Sequence, residues 1–242
     1  MIRVLQQNHV LLWSDYNGFR PAGQNCRAHP FGVYFLVILL LKSAVVNEIH
    51  AKLVLNRRTK VLATELAEIF PKGAEILDVG CGDGTIDALI MERRPDLSFR
   101  GVDVLLRPKT QIPVELFDGA HLPVPDMSFD IVTFVDVLHH TIDPMLLLNE
   151  AKRVARKYIV IKDHTRDGLQ AYARLRFMDW VGNAHHGVAL PYNYLSAKEW
   201  RAAFQRTGLT VHFWKADIGL YPFPASLIFG TGLHFIAKLA VA

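Results

Sequence analysis

Short buried strands and helices alternate along the chain after about residue 74. Apolar runs typical of buried strands cover Glu75–Val79, Ser98–Val104 and Phe129–Val135, and a helical pattern follows the first of them at Thr85–Arg94. Alternation of this kind is typical of parallel strands joined by crossover helices. The pattern therefore predicts an α/β protein built on a mostly parallel sheet.

Capping signals place two further helices. Asp143 followed by Pro144 is a favourable helix start and predicts a helix to Ala155. Ser196 and Glu199 form a capping box that opens a helix closed by Gly208. The remaining predicted elements are strands at Val114–Phe117, Tyr158–Lys162, Leu209–Trp214 and Leu233–Leu239, one or two helices at Val45–Phe70, a helix at Leu169–Trp180, and loops at His185–Leu195 and around Pro222 and Pro224.

The 242 residues suit one domain with an N-terminal extension better than two full domains. We expect the extension at residues 1–44, poorly ordered or with a short apolar helix, and the domain at 45–242. Residues 1–60 carry eight basic and two acidic side chains, whereas the remaining chain has a balance of −2. A basic face for nucleic acid is therefore not supported. Two cysteines suit a reducing cytoplasm.

One apolar run stands out in the extension. Phe31–Leu41 is eleven residues long, whereas a spanning helix needs about 20. A packed helix is favoured over an interfacial anchor or a translocation signal. The interfacial alternative makes this basic segment the candidate for peripheral membrane contact by a cytoplasmic protein.

A glycine loop follows the first predicted strand. Gly80, Gly82 and Gly84 allow tight turns and close approach of a ligand to the backbone. A dinucleotide fingerprint would have its third glycine where Thr85 stands. Asp78, just before the loop, would repel a pyrophosphate but can accept hydrogen bonds from an ammonium group. The loop therefore favours a cofactor with an amino-acid end.

Three ordered motifs then carry a family resemblance. ILDVGCGDGT at 76–85, GVDV at 101–104 and FDGAHLPVPDMSFDIVTFVDVLHH at 117–140 resemble the successive motifs of class I S-adenosylmethionine-dependent methyltransferases of the small-molecule, type 11-like kind. The resemblance covers roughly residues 60–165. It implies a Rossmann-like, doubly wound, mostly parallel seven-stranded sheet with an antiparallel last strand, and S-adenosyl-L-methionine as the cofactor.

The resemblance also implies a role for each matching position. The methionine end would lie against the first motif, the ribose against the second strand, the adenine against the third motif, and the sulfonium after the fourth strand. Asp78, Gly80 and Gly82 would line the methionine end, and Asp103 would bind the ribose hydroxyls with Val104 beside the adenine. The residues implied at the adenine are Asp118, Gly119 and Ala120, and those beside the sulfonium are Val135 and Asp136.

Two histidines are candidates for acid/base catalysis. His140 follows the fourth strand and His164 the fifth, so both are expected at the carboxyl edge of the sheet. We predict no metal site, because Asp136-x-x-His139 and the pair His185-His186 each offer two ligands without a third at defined spacing.

The acceptor is expected to be a small, apolar or lipid-like molecule that offers an O, C or N nucleophile. Aromatic residues concentrate between Asp167 and Leu195, where the family builds its acceptor cover. Asp136-Val137-Leu138-His139 lacks the prolines and aromatic ring of nucleic-acid amino methyltransferases, so no nucleic acid is expected. The alternatives are an NAD(P)-dependent oxidoreductase, disfavoured by Asp78 and Thr85, and a non-catalytic cofactor-binding module.

Overall fold

The structure, a computed structural model, describes residues 44–183, 192–223, 225–230 and 232–241. Residues Glu48–Ala242 form one compact unit. The predicted extension at 1–44 and its apolar run Phe31–Leu41 lie almost entirely outside the described residues and stay predictions. Within the described part of the chain, no helix is both long and apolar enough to cross a membrane.

Six α-helices and seven strands make up the described fold. The helices are α1 (Ala44–Ile69), α2 (Thr85–Arg93), α3 (Pro144–Val154), α4 (Ala171–Asn183), α5 (Ala197–Arg206) and α6 (Ala225–Phe229), with a 3₁₀ turn at Leu138–His140. The strands are β1 (Glu75–Val79), β2 (Ser98–Asp103), β3 (Val114–Leu116), β4 (Phe129–Val135), β5 (Ala155–His164), β6 (Thr210–Ala216) and β7 (His234–Ala240).

The seven strands form a single sheet in the order β3-β2-β1-β4-β5-β7-β6. Strands β1 to β5 run parallel to one another, whereas β7 runs antiparallel to both β5 and β6. The strand order reverses between β1 and β4, and ligands bind at such switch points beyond the carboxyl ends of the strands. The expected doubly wound sheet with an antiparallel last strand is confirmed.

Helices cover both faces of the sheet, and each face has its own apolar layer. On one face, Leu147 and Leu148 of α3 and Trp200 of α5 pack with inward residues of β1 and β4. On the other face, Leu62 and Leu66 of α1 are buried with inward residues from the same strands. The strands are therefore buried on both faces, which explains why they are continuous apolar runs in the sequence.

The predicted helix starts are correct. Asp143 accepts a hydrogen bond from the Met145 backbone N–H at 2.8 Å, ahead of Pro144 at the first helical position. Ser196 and Glu199 form the complete capping box, with the Ser196 N–H donating to Glu199 at 2.7 Å. These caps satisfy backbone donors that helix geometry leaves unpaired.

Two predictions of secondary structure were wrong in detail. Strand β5 runs from Ala155 to His164 and is twice the predicted length of Tyr158–Lys162. The loop around Pro222 and Pro224 contains α6, which is too short to show a helical period in the sequence. Of the predicted loop His185–Leu195, the part up to residue 191 lies outside the described residues.

Candidate active site

The glycine loop leaves β1 with its backbone in the left-handed region. Gly80, Gly82 and Gly84 have φ values of 76°, 62° and 74°. A Cβ on Gly80 would lie 2.5 Å from Val137 Cγ2, whereas a Cβ on Gly82 would meet nothing within 4 Å. Gly80 is therefore required both by packing and by its backbone conformation, and Gly82 by its backbone conformation alone. The space beside Gly82 is open.

Two buried carboxyl groups lie beneath this loop. Asp78 at the end of β1 and Asp87 in the first turn of α2 are 3% and 2% exposed, and each has an oxygen without a hydrogen-bond partner among the described residues. Burial and the neighbouring Asp87 raise the pKa of Asp78 well above its usual value, and burial raises the pKa of Asp87 to about 7. Such a pair is suited to a cationic ligand, because a positive charge would stabilise both carboxylates.

The residues predicted for the ribose and the adenine lie together beyond β2. Asp103 accepts hydrogen bonds from the backbone N–H groups of Gly82, at 2.8 Å, and Leu105, at 2.9 Å. Val104 is 59% exposed, and a Cβ on Gly119 would lie 3.3 Å from its Cγ1. An exposed apolar side chain against a glycine offers a flat surface for a ring.

Asp118 lies in the same loop as Gly119. It accepts hydrogen bonds from the Ala120 and His121 backbone N–H groups at 2.8 and 2.7 Å. These bonds lower the pKa of Asp118 to about 2. Its carboxylate therefore fixes the loop that carries Gly119 and Ala120.

Asp136 lies at the sheet edge after β4, next to Val135. Its backbone has φ 58°, and its carboxylate pairs with Lys162 of β5 and Arg58 of α1. Burial opposes ionisation, but the two cations outweigh it and hold the pKa of Asp136 well below its usual range. Asp136 thus joins α1 to the carboxyl edge of the sheet, and neither partner was predicted from the sequence.

A buried polar cluster follows β4 and β5. His139 Nδ1 lies 2.6 Å from Asp163 Oδ1, and its Nε2 lies 3.6 Å from Asp179 Oδ2 on α4. Tyr194 donates its hydroxyl hydrogen bond to Asp179. Burial lowers the pKa of His139, but Asp163 and then Asp179 outweigh this and raise it to about 10.

The two predicted catalytic histidines differ in exposure. His140 is half-buried, its ring centroid lies 4.0 Å from that of His139, and its buried Nδ1 has no hydrogen-bond partner among the described residues. His164 is buried, with Nδ1 3.1 Å from His234 Nδ1 and Nε2 3.4 Å from Asp136 Oδ1. Burial lowers the pKa of both, most strongly that of His164, where Lys162 adds to the effect.

A family model described as a methyltransferase domain matches residues 54–212, which include the glycine loop, Asp103, Asp136 and both histidines. The chain belongs to the methyltransferase domain family. S-adenosylmethionine is the cofactor expected of this family, in agreement with the prediction from the three motifs.

One curated relative of this methyltransferase is the 27-O-demethylrifamycin SV methyltransferase of Amycolatopsis mediterranei. The two proteins are 30% identical over 117 residues, which are 42% of this chain and 43% of the relative. The chain thus matches less than half of the length of this relative. The similarity supports membership of the family rather than a shared acceptor.

Solved structures share the fold of the methyltransferase. A chain in the complex between the Trm112 methyltransferase activator and a methyltransferase of Haloferax volcanii has a TM-score of 0.59 and 18% identity, covering 76% of this chain and 90% of its own. A methyltransferase of Thermotoga maritima that depends on S-adenosylmethionine has a TM-score of 0.56 and 17% identity, covering 84% and 99%. At these identities the likeness concerns the fold alone.

The residues of the methyltransferase fit the expected cofactor at its amino-acid end. Among the described residues, Asp78 and Asp87 each have an oxygen without a hydrogen-bond partner, and the space at Gly82 is open. An ammonium group can donate hydrogen bonds to such carboxylates. Asp78 was predicted from the sequence, whereas Asp87 was not, since an acidic residue in the first turn of a helix usually faces solvent beside the helix dipole.

Proposed function

We propose that this methyltransferase transfers a methyl group from S-adenosylmethionine to a hydroxyl oxygen of a small, apolar or aromatic molecule. Carbon and nitrogen nucleophiles were equally open from the sequence. The preference for oxygen is supported by the half-buried imidazole of His140, whose Nδ1 has no hydrogen-bond partner among the described residues, and by a relative whose name describes an O-methyl transfer.

The observation that carries the proposal is the pair of buried carboxyl groups, Asp78 and Asp87, under the glycine loop. A buried pair of carboxyl groups is unfavourable when both are ionised, and either a proton between them or a cation against them removes this cost. The ammonium group of the cofactor satisfies this need, and the pyrophosphate of a dinucleotide does not. The pair therefore favours a methyltransferase over the NAD(P)-dependent oxidoreductase.

In the proposed reaction, the cofactor supplies an electrophilic methyl group, and the protein aligns the acceptor and excludes water. Asp103 orients the ribose end through its position beside Gly82. The half-buried imidazole of His140 accepts the proton of the acceptor hydroxyl as the oxygen attacks. The paired Asp136, held by Lys162 and Arg58, keeps the edge of β4 in place.

The apolar character of the acceptor is supported by aromatic side chains in and after α4. Tyr172 and Tyr194 have ring centroids 5.9 Å apart, Tyr192 packs against Tyr194 at 6.3 Å, and Arg176 lies 4.6 Å from the centre of the Tyr192 ring. Tyr194 is buried and packs behind the exposed Tyr172 and the half-buried Tyr192. These two rings provide apolar surface with polar tips, which suits an aromatic acceptor with hydroxyl groups.

Cytoplasmic location remains part of the proposal. Of the two cysteines, Cys81 lies in the glycine loop as a free thiol, and burial raises its pKa above the usual value. A protonated, inert thiol at this position is compatible with a reducing compartment.

The test is transfer of a labelled methyl group from S-adenosylmethionine into a set of hydroxylated aromatic compounds, with His140→Gln and His212→Gln compared. His212 is exposed on β6 and is the matched control. We expect His140→Gln to lower kcat by about 100-fold with cofactor affinity unchanged in calorimetry. Full activity of His140→Gln contradicts the assignment, and binding of NADH without binding of S-adenosylmethionine contradicts the proposed reaction.

A further inference from the structure

Three buried side chains from three different elements converge beside the proposed active site. His139 follows β4, His164 ends β5 and Asp179 belongs to α4, and their side chains are 1%, 5% and 8% exposed. One nitrogen or oxygen from each residue lies within 4.8 Å of the others. Two imidazoles and a carboxylate at this spacing are a common ligand set for divalent transition metals.

A hydrogen bond to the Asp163 carboxylate fixes the orientation of the His139 ring. Its Nδ1 donates to Asp163, whose carboxylate also accepts from the backbone N–H groups of Leu138 at 3.0 Å and His164 at 2.7 Å. With Nδ1 committed to a carboxylate, Nε2 is the atom directed toward Asp179, and it has no hydrogen-bond partner among the described residues. This carboxylate–histidine arrangement is the one that orients metal-bound imidazoles.

Hydrogen bonding also determines which nitrogen of His164 is free. His234 Nε2 donates to the Phe229 carbonyl at 2.8 Å, so its Nδ1 acts as an acceptor toward His164 Nδ1 at 3.1 Å. His164 Nδ1 therefore carries the proton, and its Nε2 carries a lone pair. That nitrogen lies 3.4 Å from Asp136 Oδ1, where Lys162 pairs with the same oxygen and offsets the repulsion between the two atoms.

The balance of charges around the cluster favours the binding of a cation. Asp136 is matched by Lys162 and Arg58. In contrast, among the described residues Asp163 and Asp179 have no lysine or arginine within ion-pair distance, and the side chain between them is His139. Two carboxylates with one histidine between them make the cluster negative unless that histidine holds a proton or a metal.

We propose that His139, His164 and Asp179 bind one divalent transition-metal ion of the zinc type. Zinc binds imidazole nitrogen and carboxylate oxygen at about 2.0–2.2 Å, which places tetrahedral ligands about 3.4 Å apart. The distance of 3.6 Å between His139 Nε2 and Asp179 Oδ2 is close to this value. Three protein ligands leave a fourth tetrahedral position open. The ion would join α4 to the carboxyl edge of the sheet.

The experiment uses tag-free, full-length protein stripped with a chelator and then titrated with ZnCl₂ or CoCl₂. We expect one ion per chain by mass spectrometry, a cobalt ligand-field spectrum that zinc abolishes, and a melting temperature raised by roughly 5 °C at about 100 times Kd. Calorimetry with S-adenosylmethionine on the same samples reports cofactor binding separately, so a failure of the metal site is distinguishable from a failure of the proposed function.

Variants locate the ion within the cluster. Asp179→Asn and His139→Gln should abolish the cobalt spectrum, and Asp163→Asn, which keeps all three ligands, should weaken metal binding by about 10- to 100-fold. His212→Gln is the matched control and should bind as wild type does. Wild-type protein that takes up less than about 0.1 equivalent of metal near neutral pH overturns the proposal, because the charge of the two carboxylates is then balanced without a metal ion. Unchanged affinity in both ligand variants overturns it as well.

Discussion

The backbone N–H of Gly82 donates a hydrogen bond to Asp103 Oδ2 at 2.8 Å, which joins the glycine loop after β1 to the end of β2. The other oxygen of Asp103 accepts from the Leu105 N–H at 2.9 Å. Each carboxylate oxygen has a second acceptor position. The same carboxylate can therefore hold the loop and receive the two ribose hydroxyls of the cofactor.

We expect Asp103→Ala to weaken the binding of S-adenosylmethionine by at least about 10-fold, because it removes charge-assisted hydrogen bonds to the ribose. Calorimetric titration measures the effect. Asp126→Ala is the control, since Asp126 is exposed and its one ion-pair partner in the described part of the chain is Arg153, at 2.7 Å. Wild-type affinity in Asp103→Ala contradicts the ribose assignment.

The Asp78–Asp87 pair predicts an unusual pH dependence of stability. Because the folded state raises the pKa of Asp87 to about 7 from 3.8, it binds more protons than the unfolded state in this interval. Stability is therefore lost as the pH rises through about 7. Since one pKa unit corresponds to about 1.4 kcal/mol, we expect the free energy of unfolding of the unliganded protein to fall by at least about 1 kcal/mol between about pH 5 and 8.

Urea unfolding at a series of pH values checks this prediction, with Asp87→Asn beside the wild type. The variant should show a flatter pH profile and be the more stable protein at about pH 8. Affinity for S-adenosylmethionine should rise with pH in the wild type, whereas methylthioadenosine, which lacks the amino-acid end, should bind equally across the range. Parallel stability profiles of the two proteins contradict the prediction.

The two glycines of the loop should respond differently to alanine. Gly80→Ala places a Cβ 2.5 Å from Val137 Cγ2 as well as in a left-handed backbone, so we expect a loss of about 2 kcal/mol or more. Gly82→Ala meets only the conformational cost of about 1 kcal/mol, and its larger effect should be on cofactor affinity. Thermal unfolding and calorimetry measure the two effects. Partial recovery of Gly80→Ala by Val137→Ala would identify the steric contact as the cause.

The buried Lys162–Asp136 pair should be costly to break from one side. Lys162→Met removes one of the two cations that pair with Asp136 and leaves Arg58, and we expect a loss of about 3 kcal/mol. Asp136→Asn combined with Lys162→Met should cost less than the sum of the single changes, by about 1 kcal/mol. The control is Lys157→Met, also on β5. Lys157 is an exposed ion-pair partner of Asp130, so this change should affect stability little. Additive losses in the double variant contradict a direct interaction.

The fold was predictable where polarity and burial agree. Strands β1 and β4 were predicted at their observed bounds, because their apolar runs end at turn residues. Strand β5 was predicted to end at Lys162, since Asp163 and His164 are polar, yet both are buried. They are buried because the cluster of histidines and carboxylates satisfies them, and such pairing depends on residues distant in sequence.

The residues of the site likewise divide into those predictable from local motifs and those that depend on contacts between distant elements. The motifs predicted Asp78 and Asp103, which lie at the ends of β1 and β2 in short motifs that contain glycine. Arg58 and Asp179 belong to helices whose polar residues resemble an ordinary solvated face. Their contacts with Asp136 and His139 arise only when α1 and α4 pack at the carboxyl edge of the sheet, so a single sequence carries no sign of them.

The position of β7 affects how the chain can fold during synthesis. Strand β6 is made before β7, but its neighbour in the sheet is β7, and β5 also lacks its outer neighbour until β7 arrives. A nascent chain or proteolytic fragment that stops before His234 thus presents β5 as an open edge and leaves β6 without a partner. Unpaired apolar strands of this kind promote aggregation, so such fragments should depend on chaperones for solubility.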